Sequence, residues 1–250
     1  MSNGRTLHDV LGDLDEVIAR ARDEHSPIGI FPAMYRCVTA EIHDAVRTGF
    51  FDDNQRLEHL AVVFADRYLD AWRQWESGNH PTASWEVAFA AAEDGRRRTI
   101  AQHLFAGMNA HINLDLGIAA ADVSGGRMEE THDDFLRVDD ILFARINALQ
   151  DTLGTVSRRM AWVDRLGLFL DERIMRIAIG SARDRAWDLA VDLTTRTGAA
   201  EEIIAARDRE TADFGTAILG GNSMVRFLSR VVCRAEPRDV TKALDAFAAG

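Results

Sequence analysis

Cysteine, proline and lysine are all scarce in this sequence. The two cysteines, Cys37 and Cys233, stand far apart. That rules out a spaced disulfide framework and fits a reduced, cytoplasmic protein. Four prolines in 250 residues leave long stretches free to be helical. Lys242 is the single lysine, and the net charge is −11. With acidic residues outnumbering basic ones by 40 to 29, neither nucleic acid nor an anionic membrane is the default partner. No run of 18 apolar residues occurs, and the start, MSNGRTLHDVLGDLDEV, has no apolar signal core. A Gly-rich phosphate loop, a G-x-S-x-G elbow, a CxxC pair and an HExxH helix are also missing. There is no alternating strand run longer than four residues, no internal repeat and no low-complexity linker.

What remains is a succession of amphipathic helical segments. Leu7, Val10, Leu11, Leu14, Val17 and Ile18 recur at helical spacing. Met34, Val38, Ile42 and Val46 do the same over residues 32–48. A third stripe, Leu57, Leu60, Phe64, Tyr68 and Trp72, belongs to a helix over residues 55–76. Further helices are expected over 83–92, 128–160, 171–197, 201–219 and 224–232, with a short one in the tail after Pro237. The expected fold is all-α, a single domain over 1–250 with about eight to ten helices.

These helices must wrap one stretch, IAQHLFAGMNAHINLDLGIAAADV, residues 100–123. It lacks proline and is apolar on nearly every side, as a helix in the middle of a bundle must be. Its centre nevertheless carries Asn109, His111, Asn113 and Asp115. On an unbroken helix, His111 and Asp115 share a stripe with Leu104, Met108, Ile118 and Asp122, while Asn109 and Asn113 lie nearly opposite with Gln102 and Leu116. A buried carboxylate costs several kcal/mol unless it is paired, protonated or metal-bound. The i, i+4 spacing of His111 and Asp115 suits two ligands of one metal, or a histidine oriented by a carboxylate for proton transfer. It equally suits a buried hydrogen bond that only joins helices.

Two further sets could meet this centre. His132 and Asp139, in THDDFLRVDD, share a face across two turns, with Asp139 level with the middle of the central helix. Arg183, four residues before Trp187, could pair with Asp115 or hold a substrate carboxylate. FFDDN at 50–54 invites comparison with the aspartate-rich motifs of terpene cyclases. Asp52 and Asp53 stand where a helix begins, however, which makes a capping turn the better account.

GMNAHINLDL at 107–116 resembles DUF5995, an uncharacterised and largely actinobacterial family. VVFADRYLDA (62–71), HDDFLRV (132–138) and ARDRAW (182–187) look like further blocks of the same family, in the same order. The resemblance covers about residues 30–190 and implies a shared site at His111, Asp115, His132 and Arg183. Many members carry a histidine where this chain has Leu114, a departure that counts against a metal role here because it removes a candidate ligand. A helical His-x-x-x-Asp is also similar to part of the zinc-dependent phospholipase C and nuclease fold, but the histidine that follows there is missing from LGIAAADV.

The leading expectation is a cytoplasmic enzyme of natural-product biosynthesis acting on a small, largely apolar molecule. Cyclisation, isomerisation or elimination would use His111 as acid/base, Asp115 to orient it and His132 as a second polar wall. Asn109, Asn113, Arg183 and Asp139 would bind substrate. No cofactor is required, and the partner is the small-molecule substrate, with a homodimer admitted. Two alternatives stay open. One is a hydrolase holding a divalent metal on His111, Asp115 and His132. The other is a non-catalytic ligand-binding or interaction protein.

Overall fold

A computed structural model describes residues 4–96, 98–138, 141–142, 172–220 and 240–249. The fold is all-α, and no strand occurs among the described residues. The described helices are α1 (Leu7–Asp23), α2 (Ile30–Arg47), α3 (Asn54–Glu76), α4 (Ala83–Glu93), α5 (Ile100–Ala110), α6 (Leu116–Ser124), α7 (Glu172–Thr195), α8 (Ala200–Gly220) and α9 (Thr241–Ala249). Residues 132–138 are also helical. The segments expected over residues 143–171 and 221–239, like Asp139 and Cys233, lie outside the described residues.

The helix ends follow from local chemistry. Thr6 and Asp9 form a reciprocal capping box on α1, and Thr99 and Gln102 form another on α5. Asp53 accepts from the Arg56 amide at the start of α3, so FFDDN is the capping turn its position suggested. Two carboxylates distant in sequence reinforce the starts of α3 and α4. Asp134 accepts from the amides of Asp52 and Asp53, and Asp208 accepts from those of Ala83 and Ser84.

The stretch 100–123 lies where its composition demanded, in the middle. Helix α5, a π-helical turn (His111–Asp115) and α6 run on from one another. Helices α2, α3, α4, α7 and α8 pack around them. Two glycines let neighbours come close. A Cβ on Gly107 would lie 2.6 Å from Phe31 of α2, and one on Gly117 would lie 2.7 Å from the Ala186 carbonyl oxygen of α7. The central path is thereby held against α2 on one side of the π turn and α7 on the other.

The π turn corrects the unbroken-helix register. The Leu116 amide donates to the His111 carbonyl, five residues back, so the turn holds an extra residue. Everything downstream is rotated by roughly the 100° that one residue occupies. Ile118 therefore packs with Leu114, Leu189 and Leu193, away from the stripe of Met108 and His111. Leu116, expected beside the asparagines, faces the same cavity as Met108, His111 and Ile112.

Candidate functional site

His111 and Asp115 are 2% and 1% exposed, and they meet inside the π turn. The His111 Nδ1 lies 3.3 Å from Asp115 Oδ2. That carboxylate has two more partners. Trp85 Nε1 of α4 donates to Oδ2 at 2.8 Å, and Arg67 Nε of α3 donates to Oδ1 at 3.0 Å. Both oxygens thus accept from donors on three helices, which answers the question of what permits a carboxylate at this depth. With Oδ2 an acceptor, Nδ1 is the protonated nitrogen of His111, and Nε2 carries the lone pair.

The imidazole is held as tightly as the carboxylate. Its ring stacks on Phe64 at 3.6 Å between centroids and 9° between planes. Tyr35 and Phe31 meet it edge-on at 4.5 and 5.4 Å. Burial pushes its pKa below the usual histidine range, the Asp115 hydrogen bond opposes this, and the charge of Arg67 adds to the depression. Nε2 is buried and has no hydrogen-bond partner among the described residues.

The His111 side chain lines a cavity of about 120 Å³. Its described lining is almost wholly apolar, with Val38, Leu60, Phe64, Met108, Phe135 and Ile179 among the side chains. Arg183 of α7 is also in the wall. Its guanidinium sits 4.3 Å from the Phe135 ring centroid and donates to the Phe135 carbonyl oxygen. Asp115 is paired by Arg67, so the Arg183–Asp115 contact suggested by the sequence does not form. A buried histidine that lines an apolar cavity, one ring nitrogen of which has no partner among the described residues, is the feature that makes this place a candidate site.

Residues 7–221 match the model of DUF5995, described as a family of unknown function. The chain belongs to DUF5995. Comparison with curated proteins and with solved structures finds no match. In this DUF5995 chain all four sequence blocks, GMNAHINLDL with its His111 included, lie within the matched span.

The remaining candidate residues lie elsewhere. Asn109 and Asn113 are buried but take no part in the cavity wall. Asn113 Nδ2 donates to Asn109 Oδ1, Asn109 Nδ2 donates to the Thr211 carbonyl, and Arg185 Nε donates to Asn113 Oδ1. This relay ties the central helix to α7 and α8, and Gln102 extends it to the carbonyls of Ile218 and Leu219. His132 is half-exposed, packs edge-on against Trp187 at 4.7 Å and is absent from the described cavity lining. The described residues hold no group of three or more His, Cys, Asp or Glu placed to bind one metal ion.

Sequence reasoning missed Arg67, Trp85 and Phe64. Arg67 lies in the block VVFADRYLDA, but its periodicity reads as a helix edge. Only the tertiary pairing of α3 and α4 with the π turn shows that Arg67 and Trp85 hold the carboxylate.

A second, partly buried imidazole shares the pH dependence. His103 is pushed down to about 4 by burial, with nearby Arg98 adding to the effect. Both histidines fold with pKa values below the unfolded value of about 6.5, so the unfolded chain binds the extra protons first as the pH falls. Stability is expected to be constant above that pH and to decline below it, with His103 alone removing about 2–3 kcal/mol by pH 4. Urea midpoints measured from pH 8 to pH 4 check this, and His103→Leu is expected to flatten the decline.

Proposed function

We propose that this protein is an enzyme that uses His111 Nε2 as a general base toward a small, largely apolar molecule held in the cavity. The observation that carries the reading is the His111 side chain in the cavity wall, its Nε2 buried and without a partner among the described residues. Asp115 fixes the tautomer that leaves Nε2 unprotonated and offsets the charge of the imidazolium as it forms. Trp85 and Arg67 position Asp115 rather than touch the substrate. Because burial holds the His111 pKa down, the base is in its active form throughout the neutral range. Arg183 supplies positive potential at the wall for the anion that proton removal creates. Isomerisation through an enolate, base-promoted elimination and carbanion cyclisation begin with such a step.

The test works with the natural substrate and product still unidentified. Purified protein is incubated in D₂O with a panel of small ketones, phenols and hydroxylated rings, and exchange at carbon is followed by proton NMR. Exchange catalysed by the natural sequence and lost in His111→Phe supports the base. Equal exchange by the two proteins, or none with any compound that binds, overturns it.

The second alternative, a ligand-binding protein without turnover, draws on the same cavity, and the exchange measurement separates the two. No described helix is long and apolar enough to cross a membrane.

A further inference from the structure

One part of the cavity wall is shared with the outside of the molecule. Cys37 of α2 and Phe247 of α9 line both the cavity and an outer groove of about 380 Å³ between α1, α2 and α9. Helical spacing on α2 places the boundary. Met34 and Val38 line the cavity, Ala33, Arg36 and Ala40 line the groove, and Cys37 lies between the two sets. Cys37 Sγ is 3.2 Å from the Phe247 carbonyl oxygen, so the thiol spans the seam between the two helices. Cys37 and Phe247 are the partition at this place.

The element that completes this partition is lightly held. Helix α9 has nine residues, too few for a helix to be stable alone. Among the described residues it packs mainly on α2, with a smaller contact on α1. Ala243, Leu244 and Phe247 seat it against a cluster that includes Ile18, Ile30 and Ala33. The Arg22–Asp245 ion pair joins it to α1 at the surface, where such pairs contribute little. The α3 wall of the cavity, with Leu60 and Phe64, belongs to a helix packed on α1, α2 and α6. Local opening favours the element with the smaller buried seat, which is α9. The groove suits an uncharged visitor, since Ile18, Ala33, Ala40 and Leu244 line it and its charged Asp15 and Arg36 are paired with each other.

We infer that α9 is the gate of the His111 cavity. The groove is the mouth through which a neutral, apolar ligand enters, and Phe247 closes it until α9 shifts. This rests on the reading of the cavity as the ligand site and adds the route by which that site is reached.

Exchange of fluorobenzene between solution and the full chain, followed by ¹⁹F NMR, tests the gate. A cavity of about 120 Å³ suits a single ring of that size. Ala40→Trp fills the groove from a part-exposed position that does not line the cavity. It is expected to slow binding and release alike by about tenfold and to leave Kd unchanged. Phe247→Ala is expected to speed release by about tenfold. Leu60→Ala trims the cavity wall from α3 without touching the groove, and release is expected to stay within about twofold of the natural rate. Unchanged rates in Ala40→Trp, or equal acceleration in Phe247→Ala and Leu60→Ala, overturn the gate and leave the cavity as the site. Fluorobenzene that does not bind the natural sequence overturns both.

Discussion

Asp115→Ala is expected to destabilise the fold by about 3–4 kcal/mol, more than any other single change at the site. The substitution leaves three donors on three helices without their acceptor: the Arg67 guanidinium, the Trp85 indole N–H and the His111 Nδ1–H. Trp85 and His111 are almost fully buried, so water cannot reach those two. Arg67 is about one-quarter exposed, and its partial access to solvent keeps the estimate below the top of the range for broken buried pairs. Asp115→Asn preserves volume but turns an amide N–H toward one of the donors, so it is expected to recover only part of the loss. The double variant Arg67→Met with Asp115→Leu removes charge from both sides and is expected to be more stable than Asp115→Ala. Urea unfolding of the four proteins measures this, and a loss below about 1 kcal/mol in Asp115→Ala contradicts the buried network.

His111→Phe is expected to do the opposite, sparing the fold and removing turnover. Phenylalanine can keep the stack on Phe64 and the edge contacts of Tyr35 and Phe31. It also replaces a partnerless buried nitrogen with a C–H group, which offsets the loss of the 3.3 Å bond to Asp115. Stability is therefore expected to change by no more than about 1 kcal/mol. Proton abstraction from a bound substrate is expected to fall by about 10²–10⁴, the usual worth of a positioned base. Arg67→Met separates a positioning role from a structural one. Without the guanidinium charge the His111 pKa is expected to rise, moving the acid limb of the pH–rate profile upward while catalysis at pH 8 persists.

The sequence made the middle of the fold legible because burial leaves a compositional mark. A stretch apolar on every side has one place to go, and 100–123 lies between five helices. The polar centre was legible for the same reason, since Asn109, His111, Asn113 and Asp115 conflict with their surroundings and all four are buried. Which way they face was not legible. One extra residue in the π turn, which no periodicity announces, carries Leu116 into the cavity and Ile118 out of it. The partners were hidden too, because the asparagines bind a backbone carbonyl and Arg185, and Asp115 binds residues from 48 and 30 positions earlier. His132 resembled a site residue by type and spacing, yet the turn after α6 carries it to the side of Trp187.

The proposed base depends on the state of one nitrogen. Protein labelled with ¹⁵N-histidine reports directly on both nitrogens of His111, assigned by its absence from the spectrum of His111→Phe. At pH 7, Nδ1 is expected to be protonated and Nε2 unprotonated, with an Nε2 resonance that moves when a ligand fills the cavity. A protonated Nε2, or a resonance that ignores every ligand the protein binds, contradicts the proposed base.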